Sequence, residues 1–239
     1  MRKFFTLLLM AGFSAFFLVS CENNDDNSDI NVYVFPSEAA ARYIALAFCS
    51  NSGGINFHME NIARISSKMT GPFDSVFTMK RTDSAATIKY DYSVNYTGTY
   101  ITGTTPKVNF EYVATGSFSS AVMSSNDQQD GPYTVTGLDT TATNIIMNGT
   151  GTDVGSQVSP YYNAAFSSSF SYTLHDVLFD KHTYWITAGT ASVHISGNGP
   201  ANIPFSFGGT MTFNGSRKAT LVLDNITYSI DLVTGTMSK

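Results

Sequence analysis

The fold class of this chain is decided by the stretch Ile88–Tyr96, IKYDYSVNY. Apolar or aromatic side chains occupy every second position, and a lysine, an aspartate, a serine and an asparagine stand between them. Successive side chains of a β-strand point to opposite faces of the sheet. This period of two therefore predicts a strand with one face in a core and the other in water.

The same alternation recurs along the rest of the chain. Parallel strands are buried on both faces and appear as continuous apolar runs, so clean alternation predicts antiparallel pairing. Asn214-Gly215 and Asp224-Asn225 are typical of short hairpin turns and predict that consecutive strands pair with each other. The other alternating segments are 108–112, 166–174, 191–195, 203–207, 211–213, 219–223 and 226–232.

Two helices are predicted ahead of these strands. Residues 36–38, Pro-Ser-Glu, are typical of a helix start, and residues 39–49 continue with strong helix formers until Ser, Asn and Gly residues at 50–54 end the helix. Apart from Arg42 this helix is apolar nearly all round, which is typical of a buried helix. For residues 55–69 a helix is favoured over a strand.

Together these patterns predict a mainly β protein, with a large curved antiparallel sheet packed on an N-terminal helix. The sheet could be a barrel or a sandwich. Residues 123–132 and 148–160 are rich in Ser, Asn, Asp, Gln and Gly, so we expect them to be exposed loops. Loops are where binding residues most often lie.

The N-terminus carries a different kind of signal. Basic Met1-Arg2-Lys3 leads into an apolar run that is too short to span a membrane and ends at Cys21. The sequence Leu18-Val19-Ser20-Cys21 resembles the lipobox of Gram-negative lipoproteins. The resemblance implies a cleaved signal peptide over residues 1–20 and acyl chains, such as palmitate, attached to Cys21. The alternative is an ordinary signal peptide with a chance cysteine.

Residues 21–32 turn abruptly polar and acidic. A solvated tether of this composition would lift a domain away from the lipid headgroups, and residues 33–239 would then form a single β-rich domain with an N-terminal helical segment. Asp25, Asp26 and Asp29 also resemble the signal by which some Gram-negative bacteria export lipoproteins to the outer face of the outer membrane. A plain hydrophilic linker is the alternative.

Charge and cysteine content exclude some classes of protein. The chain has 13 basic and 18 acidic residues, and loss of Arg2 and Lys3 with the signal would leave 11 against 18, a formal net charge of −7. An acidic chain without a basic cluster is a poor candidate for binding nucleic acid. With Cys21 lipidated, Cys49 has no partner for a disulfide, and it is predicted to be a small core residue.

Motifs for chemistry are few. His175, Asp176, Asp180 and His182 could meet across a hairpin and are weak candidates for a metal site, although their spacing matches no known signature. The sequence has no Gly-x-Ser-x-Gly nucleophile motif and no phosphate-binding loop, so we expect neither an enzyme nor a cofactor.

Aromatic residues give the better candidates for binding. Tyr161 and Tyr162 follow Pro160 in loop-like sequence and could present flat rings to a sugar or a peptide. Trp185 is expected to be structural, because it falls within the strand region 184–195.

These observations favour a non-catalytic lipoprotein of the cell envelope, held in the outer membrane by its lipid, on the cell surface or the periplasmic face. Its β domain would bind a glycan or an outer-membrane protein, or act as a structural or adhesive unit. A carrier of an apolar ligand, with a cavity between sheet and helix, is the alternative. A hydrolase that uses the two histidines and two aspartates is the third hypothesis.

Overall fold

The predicted buried helix is present, and it runs over Ser37–Phe48 (α1) in a computed structural model that describes residues 35–239. Nine of its twelve residues are buried, because its alanines and large apolar side chains leave almost no polar face. The signal peptide, Cys21 and the acidic tether, all assigned to residues 1–32, lie outside the described residues.

A short 3-10 turn, Ser50–Ser52, joins α1 to a second helix, Ile55–Ser66 (α2). Gly53 adopts a left-handed φ of 72°, which lets the chain reverse between the two helices. A Cβ atom on Gly54 would lie 2.1 Å from the carbonyl oxygen of Ala47, so the close approach of the helices requires glycine there. Neither helix is long and apolar enough, within residues 35–239, to cross a bilayer.

Eleven strands follow, and each pairs antiparallel with its neighbour in sequence, from β1 to β11. The predicted mainly β fold, with an antiparallel sheet packed on a helix, is thus confirmed. The strands are β1 (Phe73–Arg81), β2 (Ile88–Ile101), β3 (Lys107–Ser120), β4 (Ser124–Thr136), β5 (Asn144–Ser159), β6 (Ala164–Asp180), β7 (Ile186–Asn198), β8 (Pro204–Gly215), β9 (Lys218–Leu223), β10 (Ile226–Asp231) and β11 (Met237–Ser238).

The sheet is a single curved layer, and its two edge strands do not pair with each other among the described residues. The turn that joins α1 and α2 contacts both the first and the last part of this sheet. Its Ser50 and Asn51 amides donate hydrogen bonds to the carbonyl oxygens of Leu232 and Val233, which follow β10 (2.8 and 3.0 Å). Gly53 packs on Met79 of β1, so the turn connects the first part of the sheet with the last.

Helix α1 packs its side chains on the concave face of the sheet. The Phe48 ring contacts three aromatic rings of the sheet, those of Phe170, Tyr172 and Phe213, at centroid distances of 6.0, 5.5 and 6.2 Å. Both helices and the inward side chains of nearly every strand belong to one continuous apolar core. The predicted core position of Cys49 is confirmed, since its thiol is buried and bonds to the Val233 carbonyl.

The prediction that two polar segments form exposed loops was wrong. Residues 123–132 and 148–160 lie almost entirely in β4 and β5. Their polar composition hid the strands, because several positions that face the core carry Ser, Asp or Gln instead of apolar side chains. The inward polar residues are Ser125, Asp127, Gln129, Asp153 and Gln157, and all five are buried.

The two hairpin predictions had different outcomes. Asp224 and Asn225 form the turn between β9 and β10, both with left-handed φ (52° and 61°), as the sequence predicts. Between β8 and β9 the two turn residues are Ser216 and Arg217, with φ of 49° and 58°, so the turn comes later than Asn214-Gly215. The shift is accompanied by an irregular register after Phe213.

Replacing Phe48 with alanine should be strongly destabilising. A cavity would form between α1 and the sheet, and loss of a buried phenylalanine costs about 3–5 kcal/mol of the free energy of unfolding. Urea denaturation measures the loss. Val76→Ala, at a side chain that is 73% exposed, is the matched control and should change stability by less than about 0.5 kcal/mol. Equal effects of the two substitutions would contradict the buried position of α1.

Candidate functional site

Tyr161 and Tyr162 lie together at the turn between β5 and β6. Their rings meet edge to face, with centroids 4.9 Å apart. The Tyr161 side chain is 61% exposed, whereas Tyr162 is partly buried against the core. Ser159 fastens the turn, because its hydroxyl accepts a bond from the Tyr162 amide (3.3 Å) and donates to the carbonyl of Val122 (3.0 Å) in the β3–β4 turn.

Arg42 of α1 holds both rings in place, and we call Arg42, Tyr161 and Tyr162 the tyrosine shelf. The guanidinium carbon lies 4.9 Å from the Tyr161 ring centroid, and Nε donates a hydrogen bond to the Tyr162 hydroxyl at 3.1 Å. Glu38 pairs with Arg42 at 3.3 Å and with Lys239 at 2.6 Å. The exposed Tyr161 ring is therefore held by Arg42, which is itself positioned by Glu38.

A surface cleft of about 440 Å³ adjoins the tyrosine shelf and shares Arg42 with it. Its apolar floor includes Leu46 of α1 and Ile88 of β2, and threonine and serine hydroxyls line it as well. Apolar surface combined with a few well-placed polar groups is typical of sites for small ligands. The residues that line the cleft are Arg42, Leu46, Thr87, Ile88, Ser120, Ala121, Val122, Thr234, Gly235, Thr236 and Met237.

The sequence candidates for metal binding or hydrolysis have separate local partners. His175 Nε2 bonds to the Ser192 hydroxyl (3.2 Å), and Asp176 accepts a bond from the Asn148 amide nitrogen (3.0 Å). Asp180 caps the β6–β7 turn by accepting bonds from the amides of His182 and Thr183, which hold its pKa below the ordinary value. No three His, Cys, Asp or Glu residues within 35–239 are grouped so that they could hold a metal ion.

Trp185 is expected to be structural, but it is partly exposed at the surface. It lies immediately before β7, and its side chain is 45% exposed. The Arg217 guanidinium stacks over its ring at 4.8 Å, so the indole provides a surface for a cation and is not a core residue.

A pair of buried aspartates on the inner face of the sheet was missed by the sequence analysis. Asp127 of β4 accepts a hydrogen bond from the Tyr92 hydroxyl at 2.8 Å. Asp153 of β5 is fully buried, and neither of its carboxylate oxygens has a hydrogen-bond partner among the described residues. The Tyr43 hydroxyl of α1 lies nearby without completing a hydrogen bond.

These surroundings favour the protonated form of the pair. Burial raises the pKa of Asp153 well above its ordinary value, and the negative charge of Asp127 raises it further. Burial also raises the pKa of Asp127, against the opposing effect of the Tyr92 hydrogen bond. Paired carboxylates can act as acid and base in sugar hydrolysis, but a substrate in solvent cannot contact Asp153 in this structure because α1 and the sheet enclose it.

Comparison of the chain with models of known protein families, with curated protein sequences and with solved structures gave no significant match.

Replacing Asp153 with asparagine should change how stability depends on pH. A carboxyl group whose pKa is raised by folding stabilises the protein below its unfolded pKa, about 3.9, and this contribution is lost as the pH rises through the folded pKa. Asparagine does not titrate, so Asp153→Asn should gain stability relative to wild type as the pH is raised from about 4 towards neutrality. Thermal denaturation across this range measures the difference.

Asp74→Asn, at an exposed carboxylate of β1, is the control for removing one charge. Its stability relative to wild type should change less over the same pH range than that of Asp153→Asn, because Asp74 is exposed and Asp153 is fully buried. A constant difference between Asp153→Asn and wild type would contradict the raised pKa.

Proposed function

We propose that this protein is a cell-envelope lipoprotein, anchored in the outer membrane by lipid on Cys21, whose β-rich domain binds a glycan without catalysing a reaction. The single observation that carries the binding proposal is the exposed Tyr161 ring, fixed by Arg42 at the edge of a 440 Å³ cleft. The anchor rests on the likeness of Leu18–Cys21 to a lipobox.

The chemistry of the site suits a sugar. One face of a sugar ring is apolar enough to lie on an aromatic ring, while its hydroxyls need hydrogen-bonding partners at the edge. Tyr161 offers the ring, and a tyrosine supplies contact area at a low cost in conformational entropy. The cleft offers an apolar floor and the hydroxyls of Thr87 and Thr234.

The filled interior favours surface binding over transport of an apolar ligand. The space between the sheet and the helices, where a carrier would hold its cargo, is occupied by the side chains of α1 and α2. Tyr43, Phe48 and Met59 are all fully buried there. An apolar ligand would have to displace these side chains in order to enter.

Binding is also favoured over hydrolysis. Asp176 and Asp180 are bound to separate local partners, and Asp153 of the buried pair is closed to solvent. A glycosidase needs two carboxyl groups that face one substrate across roughly 5–10 Å. Among the described residues that line the cleft, none carries a carboxylate.

Replacing Cys21 with alanine should release the protein from the membrane. Lipid attachment requires the thiol, so fractionation of cells that express the full chain should find wild type in the outer membrane and Cys21→Ala in a soluble fraction. Cys49→Ala is the matched control and should leave wild-type fractionation unchanged. Soluble wild type, or a membrane-bound Cys21→Ala variant, would contradict the anchor.

Replacing Tyr161 with alanine should weaken glycan binding without unfolding the domain. Loss of one stacked ring should lower the affinity about tenfold, since truncation of an important contact residue costs more than about 1 kcal/mol and about 1.4 kcal/mol is a factor of ten. A glycan array screened with the detergent-solubilised full chain identifies the ligand, and calorimetry measures its affinity.

Tyr100→Ala is the aromatic control, because Tyr100 lies at the far end of β2 from the cleft residue Ile88. It should retain wild-type affinity. A wild-type chain that binds no glycan, or a bound glycan that Tyr161→Ala does not weaken, would contradict the proposed site.

A further inference from the structure

Three arginines, Arg64, Arg81 and Arg217, line a second cavity. We call this cavity the arginine pocket. Its volume is about 270 Å³. The described part of this acidic chain contains four arginines, and three of them line this one pocket. They come from separate elements: Arg64 from α2, Arg81 from the end of β1, and Arg217 from the β8–β9 turn.

Arg217 is held rigidly. One of its terminal nitrogens lies 2.8 and 3.2 Å from the two carboxylate oxygens of Glu60. The guanidinium of Arg217 also stacks on the Trp185 ring. Arg217 has a left-handed φ, and its side chain extends from the β8–β9 turn to Glu60 of α2. Glu60 is the one carboxylate among the described lining residues, and it also accepts a bond from Asn56 (3.3 Å).

Arg64 and Arg81 have no such partner. Arg64 lies 5.4 Å from the Tyr184 ring centroid and donates a bond to Asn61 at 3.2 Å. Within residues 35–239, no carboxylate forms an ion pair with Arg64 or with Arg81. Two guanidinium groups that form no ion pair therefore line the same cavity.

This arrangement favours an anionic ligand. Like charges that share a concave site repel each other, and the field they produce is concentrated by the low-dielectric walls. An anion would remove the repulsion, and the planar fork of arginine is suited to binding a carboxylate through two parallel hydrogen bonds.

We propose that the arginine pocket binds the carboxylate of a small organic acid, about one sugar ring in size, through Arg64 and Arg81. The aromatic lining residues Phe57 and Tyr90 would contact the ring that carries the carboxylate. A volume of about 270 Å³ is just below the usual range for ligand pockets, which suits a single ring and not a longer molecule. The inference does not depend on glycan binding at the tyrosine shelf.

Titration calorimetry on the solubilised full chain tests this site with galacturonate as the probe and galactose as the neutral match. Galacturonate should bind saturably, galactose should not, and binding should weaken as salt is raised. Arg81→Gln and Arg64→Gln should each lower the affinity about tenfold or more, since each removes a charge-assisted hydrogen bond. Trigalacturonate tests whether the natural ligand is a free acid or an acidic residue of a glycan. If trigalacturonate binds more tightly than the monomer, the ligand is a glycan residue, and if the two bind equally, it is a free acid.

Lys80→Gln is the matched control. It removes the same charge from the residue next to Arg81, at a side chain that pairs with Asp91 and does not line the pocket, and it should leave affinity unchanged. Three results would overturn the proposal: no saturable binding of galacturonate by a folded wild-type chain, equal weakening by Lys80→Gln and Arg81→Gln, or inorganic phosphate binding as tightly as galacturonate.

Discussion

The structure depends on the burial of one helix that has almost no polar face. Helix α1 presents alanine, isoleucine, leucine, tyrosine and phenylalanine in nearly every direction, so it is stable only when protein surrounds it. Hydrophobic burial is the dominant favourable term in folding, and a long antiparallel meander can curve enough to supply the required surface. The turn after α1 then bonds to the segment after β10, which fixes the helix between the first and last strands.

Burial of α1 also determines where function can lie. Because α1 and α2 occupy the concave side of the sheet, ligands are left with the outer surface and the ends of the strands. The segment 233–237 contributes residues to both the cleft beside the tyrosine shelf and the arginine pocket. Asp153 of the buried pair lacks partners in the enclosed core, which is costly for a polar group and makes this region sensitive to pH.

The sequence predicted the elements whose pattern agreed with their burial. Strands such as β2 alternate clearly, and α1 is apolar nearly all round, so both could be recognised without the structure. The strands β4 and β5 could not, since Asp127, Gln129 and Asp153 face the core where apolar residues were expected. Tyr161 was predictable as a surface aromatic from the loop-like sequence around it, whereas Tyr162 is partly buried against the core. The arginine pocket was not, because its residues meet only through tertiary packing.

Helix α1 is a permanent part of the core and does not leave it to admit a ligand. Native-state hydrogen exchange on the full chain tests this claim directly, by comparing backbone amides of residues 41–48 with those of the central strand β6. We expect α1 to exchange only through global unfolding, with the same free energy of opening as β6. Exchange of α1 at a much lower free energy, with β6 still protected, would contradict the claim and would open the interior to a ligand.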